Sequence, residues 1–198
     1  MAFDAEKFRS AFDGTKKQDF VFASTAYFEV QFHSLPAIFK QSEIKDPIKW
    51  NLANEAFNNM RFRCFSTDLP SRQVVGLSRQ LAGPQRIIPY AANYTTTMLD
   101  FIETPRFNIR TFFDTWIDII EGKNYFYETA YYDDLIIDEV TIFAYNKSGE
   151  KVAKWVLKNV IPMSLNNSML NWESQNQHIT IPVEIGYSTW DFYPLNPQ

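Results

Sequence analysis

Residues 94–122 read YTTTMLDFIETPRFNIRTFFDTWIDIIEG, and the period of the apolar side chains changes part-way along this stretch. Over residues 94–101, Thr95, Thr97, Leu99 and Phe101 alternate with Tyr94, Thr96, Met98 and Asp100, the two-residue period of a strand with one buried face. Beyond Pro105 the spacing becomes i, i+3, i+4, i+7. Ile109, Phe112, Phe113, Trp116, Ile117 and Ile120 then share one face of a helix and form its packing core, while Arg110, Asp114 and Asp118 lie on the other. Pro105 suits the opening of that helix and Gly122 its end. A strand that feeds so amphipathic a helix predicts an α+β core in which the helix covers a sheet.

The rest of the chain is dominated by the strand period. Residues 20–32 predict a strand in which Ala26, Phe28, Val30 and Phe32 alternate with Tyr27, Glu29 and Gln31. Further strands are expected at 60–65, at 72–81, and at 134–145 and 151–161, the last two flanking an Asn-Lys-Ser-Gly-Glu loop typical of a hairpin. Residues 178–187 alternate Ile179, Ile181, Val183, Ile185 and Tyr187 against His178, Thr180, Glu184 and Gly186. Asp4 is placed to cap a short N-terminal helix over residues 5–12, stopped by Gly14. Residues 34–59, punctuated by Pro36 and Pro47, read as an insertion with its own small apolar patch of Trp50, Leu52 and Phe57 and a turn or two of helix over 48–58. The periodicity therefore predicts a mainly β (α+β) chain of many strands with one strong amphipathic α-helix and a short N-terminal helix.

Composition bounds the function. At 198 residues the chain fits a single domain, expected to span 1–198, able to bury about 70% of its unfolded surface without disulfides or metal. Its 45% hydrophobic content excludes a disordered chain, and 17% aromatics favour β packing or extensive interfaces. With 19 Lys and Arg against 23 Asp and Glu, the net charge of -4 supplies no basic field to hold nucleic acid. The single cysteine, Cys64, fits a reducing compartment, and no zinc spacing accompanies it. No export signal and no membrane-spanning stretch are expected.

Catalytic constellations do not emerge. His33 and His178 are the only histidines, and neither stands beside a Ser, Cys or Thr nucleophile in a recognisable pattern. Asp133-Asp134 and Asp138-Glu139 are adjacent pairs; on a strand, neighbours point to opposite faces and cannot converge as a glycosidase pair. Scattered glycines offer no phosphate cradle. Cys64 reads as a small apolar filler, although Arg61 and Arg63 beside it would lower its pKa. No catalytic, cofactor or metal residue is assigned, and the expectation is a protein without enzymatic activity.

Three segments in order resemble the tail tube protein of T4-like, contractile-tailed bacteriophages. The first joins FRSAF near the N-terminus to Tyr27-Phe28-Glu29-Val30-Gln31-Phe32 and to Phe62-Arg63-Cys64 leading to Asp68-Leu69-Pro70. The second is the 94–101 strand followed by the helix containing FFDTWIDII. The third runs from Ile161-Pro162 through Leu170-Asn171-Trp172-Glu173-Ser174 to residues 179–187 and Trp190. The resemblance implies two packed antiparallel sheets forming a β-sandwich or barrel with one flanking α-helix, and hexameric rings whose inner strands join into a continuous β-barrel, stacked into a tube for DNA ejection. It implies as partners further copies of the chain, the tail sheath, a baseplate tube-initiator and a tape measure protein, with genomic DNA passing without specific binding. It also implies a virion component assembled in the host cytoplasm, away from any membrane. Alternation suggests Glu184, Thr180 and Thr96 for the lumen or an interface. Two alternatives remain open at this point: a baseplate tube-initiator of the same fold, and a monomeric small-ligand-binding β-barrel.

Overall fold

A computed structural model describes residues 27–40, 47–80, 83–122, 131–146, 148–166 and 178–195. In chain order the elements are β1 (Phe28–Phe32), α1 (Ala37–Lys40), α2 (Pro47–Met60), β2 (Cys64–Thr67), β3 (Arg72–Arg79), β4 (Arg86–Tyr94), β5 (Thr97–Ile102) and α3 (Asn108–Ile120). They continue with α4 (Tyr132–Leu135), β6 (Ile137–Tyr145), β7 (Lys151–Leu165), β8 (Thr180–Gly186) and β9 (Thr189–Pro194). The expected N-terminal helix, residues 20–26 of the first strand and the Leu170–Ser174 motif lie outside the described residues.

The organising element is β7. Its first part pairs with β6 on one edge and with β9 on the other, and its second part pairs with β8. Lys158 faces Thr189 and Ile161 faces Gly186, so β8 and β9 lie end to end along the same edge. Two antiparallel layers result, β1-β6-β7-β9 and β7-β8-β5-β2, sharing β7. The switch occurs at Asn159, whose φ of 54° is left-handed; asparagine tolerates that conformation better than the β-branched residues that surround it. The fold is mainly β with flanking helices, as the alternating pattern predicts.

The barrel, however, is not closed. Closure would require β1 and β2, the two end strands, to meet, yet they are five and four residues long and lie on either side of a cleft of about 360 Å³. Phe28, Phe65, Leu69 and Trp155 line that cleft, so bulky side chains hold the edges apart. The interior, where a ligand-binding barrel would keep its cavity, is filled instead. Phe101, Phe112, Phe113 and Trp116 are fully buried, with Phe101 and Phe113 centroids 5.6 Å apart.

Of the predicted helical face, Ile109, Phe112, Phe113 and Trp116 are fully buried, while Ile117 and Ile120 are half-buried. The Trp116 indole N–H donates to the Leu135 carbonyl at 2.7 Å, which satisfies its one polar atom. The helix starts later than Pro105 suggests. Pro105 and Arg106 form a turn, Phe107 stands at the N-cap in a left-handed conformation (φ 55°) with no side-chain cap, and Glu103 supplies the cap from the end of β5. At the other end Gly122, with φ 71°, takes the left-handed position that ends many helices.

The described part of residues 34–59, expected as an insertion with its own apolar patch, contributes side chains to the main core. Phe39, Ala53, Ala56 and Met60 are buried in the main cluster, and Phe39 stacks on Phe112 at 5.3 Å. α2 is a full helix of 14 residues whose last residue, Met60, was expected to begin a strand. Small side chains at Ala53 and Ala56 let α2 approach α3 closely. The sequence pattern also passed over two strands: β4, whose exposed side chains follow no burial period, and β9, which follows directly on β8.

Candidate assembly surface

The layer β7-β8-β5-β2 has one face in the core and one outside. Thr97, Leu99 and Phe101 of β5 pair with Ile185, Val183 and Ile181 of β8, and all six are buried. By alternation the outer face receives Met98, Asp100 and Ile102 from β5 and Thr180, Pro182 and Glu184 from β8. β2, β5, β8 and residues 161–165 contain no lysine or arginine. The only charged side chains of these strands are Asp100 and Glu184.

Thr96 and Glu184 come together. Thr96 Oγ1 donates to Glu184 Oε1 at 2.5 Å, and Ser164 Oγ donates to Oε2 at 3.0 Å. These two hydroxyl donors favour the ionised carboxylate and hold the Glu184 pKa below the usual glutamate value. Ser164 was not singled out from the sequence, because the β-bulge that places it opposite Glu184 breaks the alternation of β7. Thr180 shares the Glu184 face but pairs with Ile102 at the far end of β8, about 13 Å away at ordinary strand rise. Asp100 has its pKa raised, first by burial and then by the nearby Asp68 carboxylate, with a Ser66 hydrogen bond opposing. The Cys64 thiol is pushed up to about 12 by burial and by Asp100. The flanking arginines therefore do not activate it: Arg61 pairs with Glu29 instead.

Among the described residues, both flanks of this four-stranded layer carry unpaired edges. Among the described residues, β2 pairs only with β5, and residues 161–165 of β7 pair only with β8. Beside them, the described residues directly before β6 form the short helix α4 rather than a longer strand. Of the residues weighed for catalysis, His33 and Glu139 come together beside the Thr141 hydroxyl, and the others stay apart. His33 Nε2 lies 2.8 Å from Thr141 Oγ1 and 3.4 Å from Glu139 Oε1, His178 is exposed before β8, and Asp133 and Asp134 sit on α4.

The chain matches the family model described as phage tail tube protein over residues 23–193. It belongs to the phage tail tube protein family. No curated sequence relative matches. Among solved structures, a chain of the anti-feeding prophage tube-terminating cap is similar at TM-score 0.59 and 12% identity, covering 88% of this chain and 93% of that one. A chain of the PVC sheath/tube terminator, an extracellular contractile injection system in its extended state, is similar at TM-score 0.58 and 13% identity, over 87% and 97%. A chain of the PVC sheath–tube complex in the extended state gives TM-score 0.55 and 12% identity over 98% and 100%. At these identities the likeness is one of fold. Family membership makes this tail tube protein a structural component of a phage tail rather than an enzyme.

Proposed function

We propose that this tail tube protein forms hexameric rings that stack into the tube of a contractile tail, through which DNA leaves the virion. The observation that supports this reading best is the layer β7-β8-β5-β2, with open edges on both flanks and an outer face free of cations. Unpaired edges template further pairing. The two edges belong to different strands, so β2 of one copy meets residues 161–165 of the next head to tail, an arrangement that closes into a ring. Six copies of four strands give a barrel roughly 50 Å across at the backbone, given strand spacing of about 4.8 Å and tilts of about 40°. After side chains are subtracted, the channel is wider than a DNA duplex.

Asp100 and Glu184, with Thr96 and Thr180, then face the lumen. Repeated around the ring without counter-cations, these carboxylates repel phosphate, so DNA slides without binding. Outside the tube the expected partners are the sheath and the baseplate tube-initiator, and inside it a tape measure protein before ejection; assembly occurs in the host cytoplasm. The structural neighbours that carry a sheath, a tube and a terminator support this placement.

Negative-stain electron microscopy of the purified chain across a concentration series tests the reading. Six-fold rings or hollow tubes are expected. Rings that never elongate would move the assignment to a tube-initiator, and monomers at every concentration would refute it. With assembly established, Glu184→Lys should leave tubes intact but impair DNA delivery.

A further inference from the structure

Beyond its base, where the Arg72 guanidinium lies 5.4 Å from the Trp190 ring centroid, the β3–β4 hairpin stands exposed among the described residues. Between Arg72 and Asn93, Val75 is the only described residue that is not exposed. Its register puts Leu77 opposite Ile88 on one face and Val74 opposite Ala92 on the other, so both faces are apolar. Ile87 is 76% and Tyr90 70% exposed. A two-stranded ribbon of this kind is marginal alone in water, and exposed apolar surface on this scale marks an interaction site.

Charge indicates the partner. Arg72, Arg79 and Arg86 are the charged residues of the hairpin, and none of the chain's 23 carboxylates lies in it. The remaining chain holds 16 basic residues against those 23, so a copy of this chain presents the opposite sign to its own hairpin. Within that acidic remainder, residues 131–138 combine carboxylates with exposed rings. Tyr131 is 76% and Tyr132 57% exposed, and Asp133 and Asp138 are exposed beside them. The described residues 131–146 contain no lysine or arginine. The shelf is held rigidly, by the Trp116 bond to the Leu135 carbonyl and by the Asp134 carboxylate accepting the Tyr131 N–H at 3.3 Å.

We propose that the β3–β4 hairpin of one copy docks on the Tyr131–Asp138 shelf of a neighbouring copy, its aliphatic side chains against the tyrosines and Arg79 and Arg86 against Asp133 and Asp138. This rests on the reading that copies of the chain assemble, and it makes their cohesion partly electrostatic and sensitive to salt. Charge pairs at an interface rim steer and register the partners, while the apolar centre supplies most of the adhesion.

The test is a charge swap in the full chain, read by sedimentation velocity and electron microscopy, with thermal melting of dilute protein as a folding control. Raising salt from about 50 to about 500 mM should disassemble the wild type in part, because screening shortens to a few ångströms. Arg79→Glu with Arg86→Glu should raise the concentration needed for assembly roughly tenfold or more. Asp133→Lys with Asp138→Lys should do the same, and the four changes together should restore assembly. The proposal is overturned if the arginine variant assembles like the wild type, or if the combined variant assembles no better than either half. Wild-type protein that stays monomeric throughout overturns the assembly reading together with the docking.

Discussion

Glu103→Ala should destabilise the fold by about 2–4 kcal/mol. Glu103 is only 9% exposed, at the end of β5, and its carboxylate caps α3 across a gap of several residues. Oε1 accepts the backbone N–H of Ile109 at 3.1 Å and of Thr104 at 2.8 Å, and Oε2 accepts that of Arg110 at 2.8 Å. Phe107, at the N-cap, offers no side-chain acceptor, so truncation leaves the first-turn donors without their partner. Hydrogen bonds to a charged acceptor contribute about 1.5–3 kcal/mol, and loss of an ordinary cap costs about 0.5–2 kcal/mol. The negative charge at the positive end of the helix dipole is lost as well. Some water will reach the Arg110 N–H, which keeps the total below the sum of the parts. For a chain of this size each kcal/mol lowers Tm by about 2–4 °C, so a drop of roughly 5–12 °C is expected. Glu103→Gln keeps the shape and one acceptor oxygen but turns the other into a donor, and should fall about half-way. The assay is thermal and urea unfolding of dilute protein, with hydrogen exchange at Ile109 and Arg110 as the local readout. A Glu103→Ala variant that melts with the wild type, with protection at those amides unchanged, would refute the capping argument.

Four further outcomes follow from the packing and the charges. Trp116→Ala should cost about 3–5 kcal/mol in urea unfolding, since it empties a fully buried site and orphans the Leu135 carbonyl. Asn159→Val should cost about 1–2 kcal/mol and Asn159→Gly almost nothing, because φ there is 54°; equal melting of the two would disprove backbone strain at the β7 bend. Cys64, with its thiol pushed up to about 12, should resist alkylation near pH 8 in the folded protein and react only on unfolding; fast labelling of the native state would contradict this. Glu184 and Asp100 should act oppositely with pH. The lowered Glu184 pKa contributes stability above the ordinary glutamate range that disappears as pH falls through the folded value, whereas the raised Asp100 pKa disfavours the fold at neutral pH and is relieved by acid. Asp100→Asn should therefore raise Tm near pH 7 and lose that advantage near pH 3, and an unchanged difference across pH would count against it.

Much of this structure is legible in the sequence because strand and helix periods differ. The alternation of 94–101 and 178–187 and the 3.6-residue stripe of Ile109 to Ile120 translate directly into β5, β8 and α3. Elements whose contacts leave no clear apolar period escape that reading. β4 is exposed along nearly its whole length and shows no burial period, although its partner β3 matches the strand expected at 72–81. α2 packs through Ala53 and Ala56, which carry little hydrophobic signal although they sit at the helix contact. For the outer face the sequence placed Glu184, Thr96 and Thr180 on one side of the strands, but Ser164 joins them only through a bulge.

By itself, then, the sequence determined a mainly β chain with one strong amphipathic helix, an acidic surface and the tail tube resemblance, all carried by local order and composition. The tertiary structure alone decided that β7 bends at Asn159 to serve both layers, that the barrel stays open between β1 and β2, and that Glu103 caps a helix it does not belong to. Each of these joins residues distant in the chain or sets one backbone angle, and side-chain periodicity encodes neither.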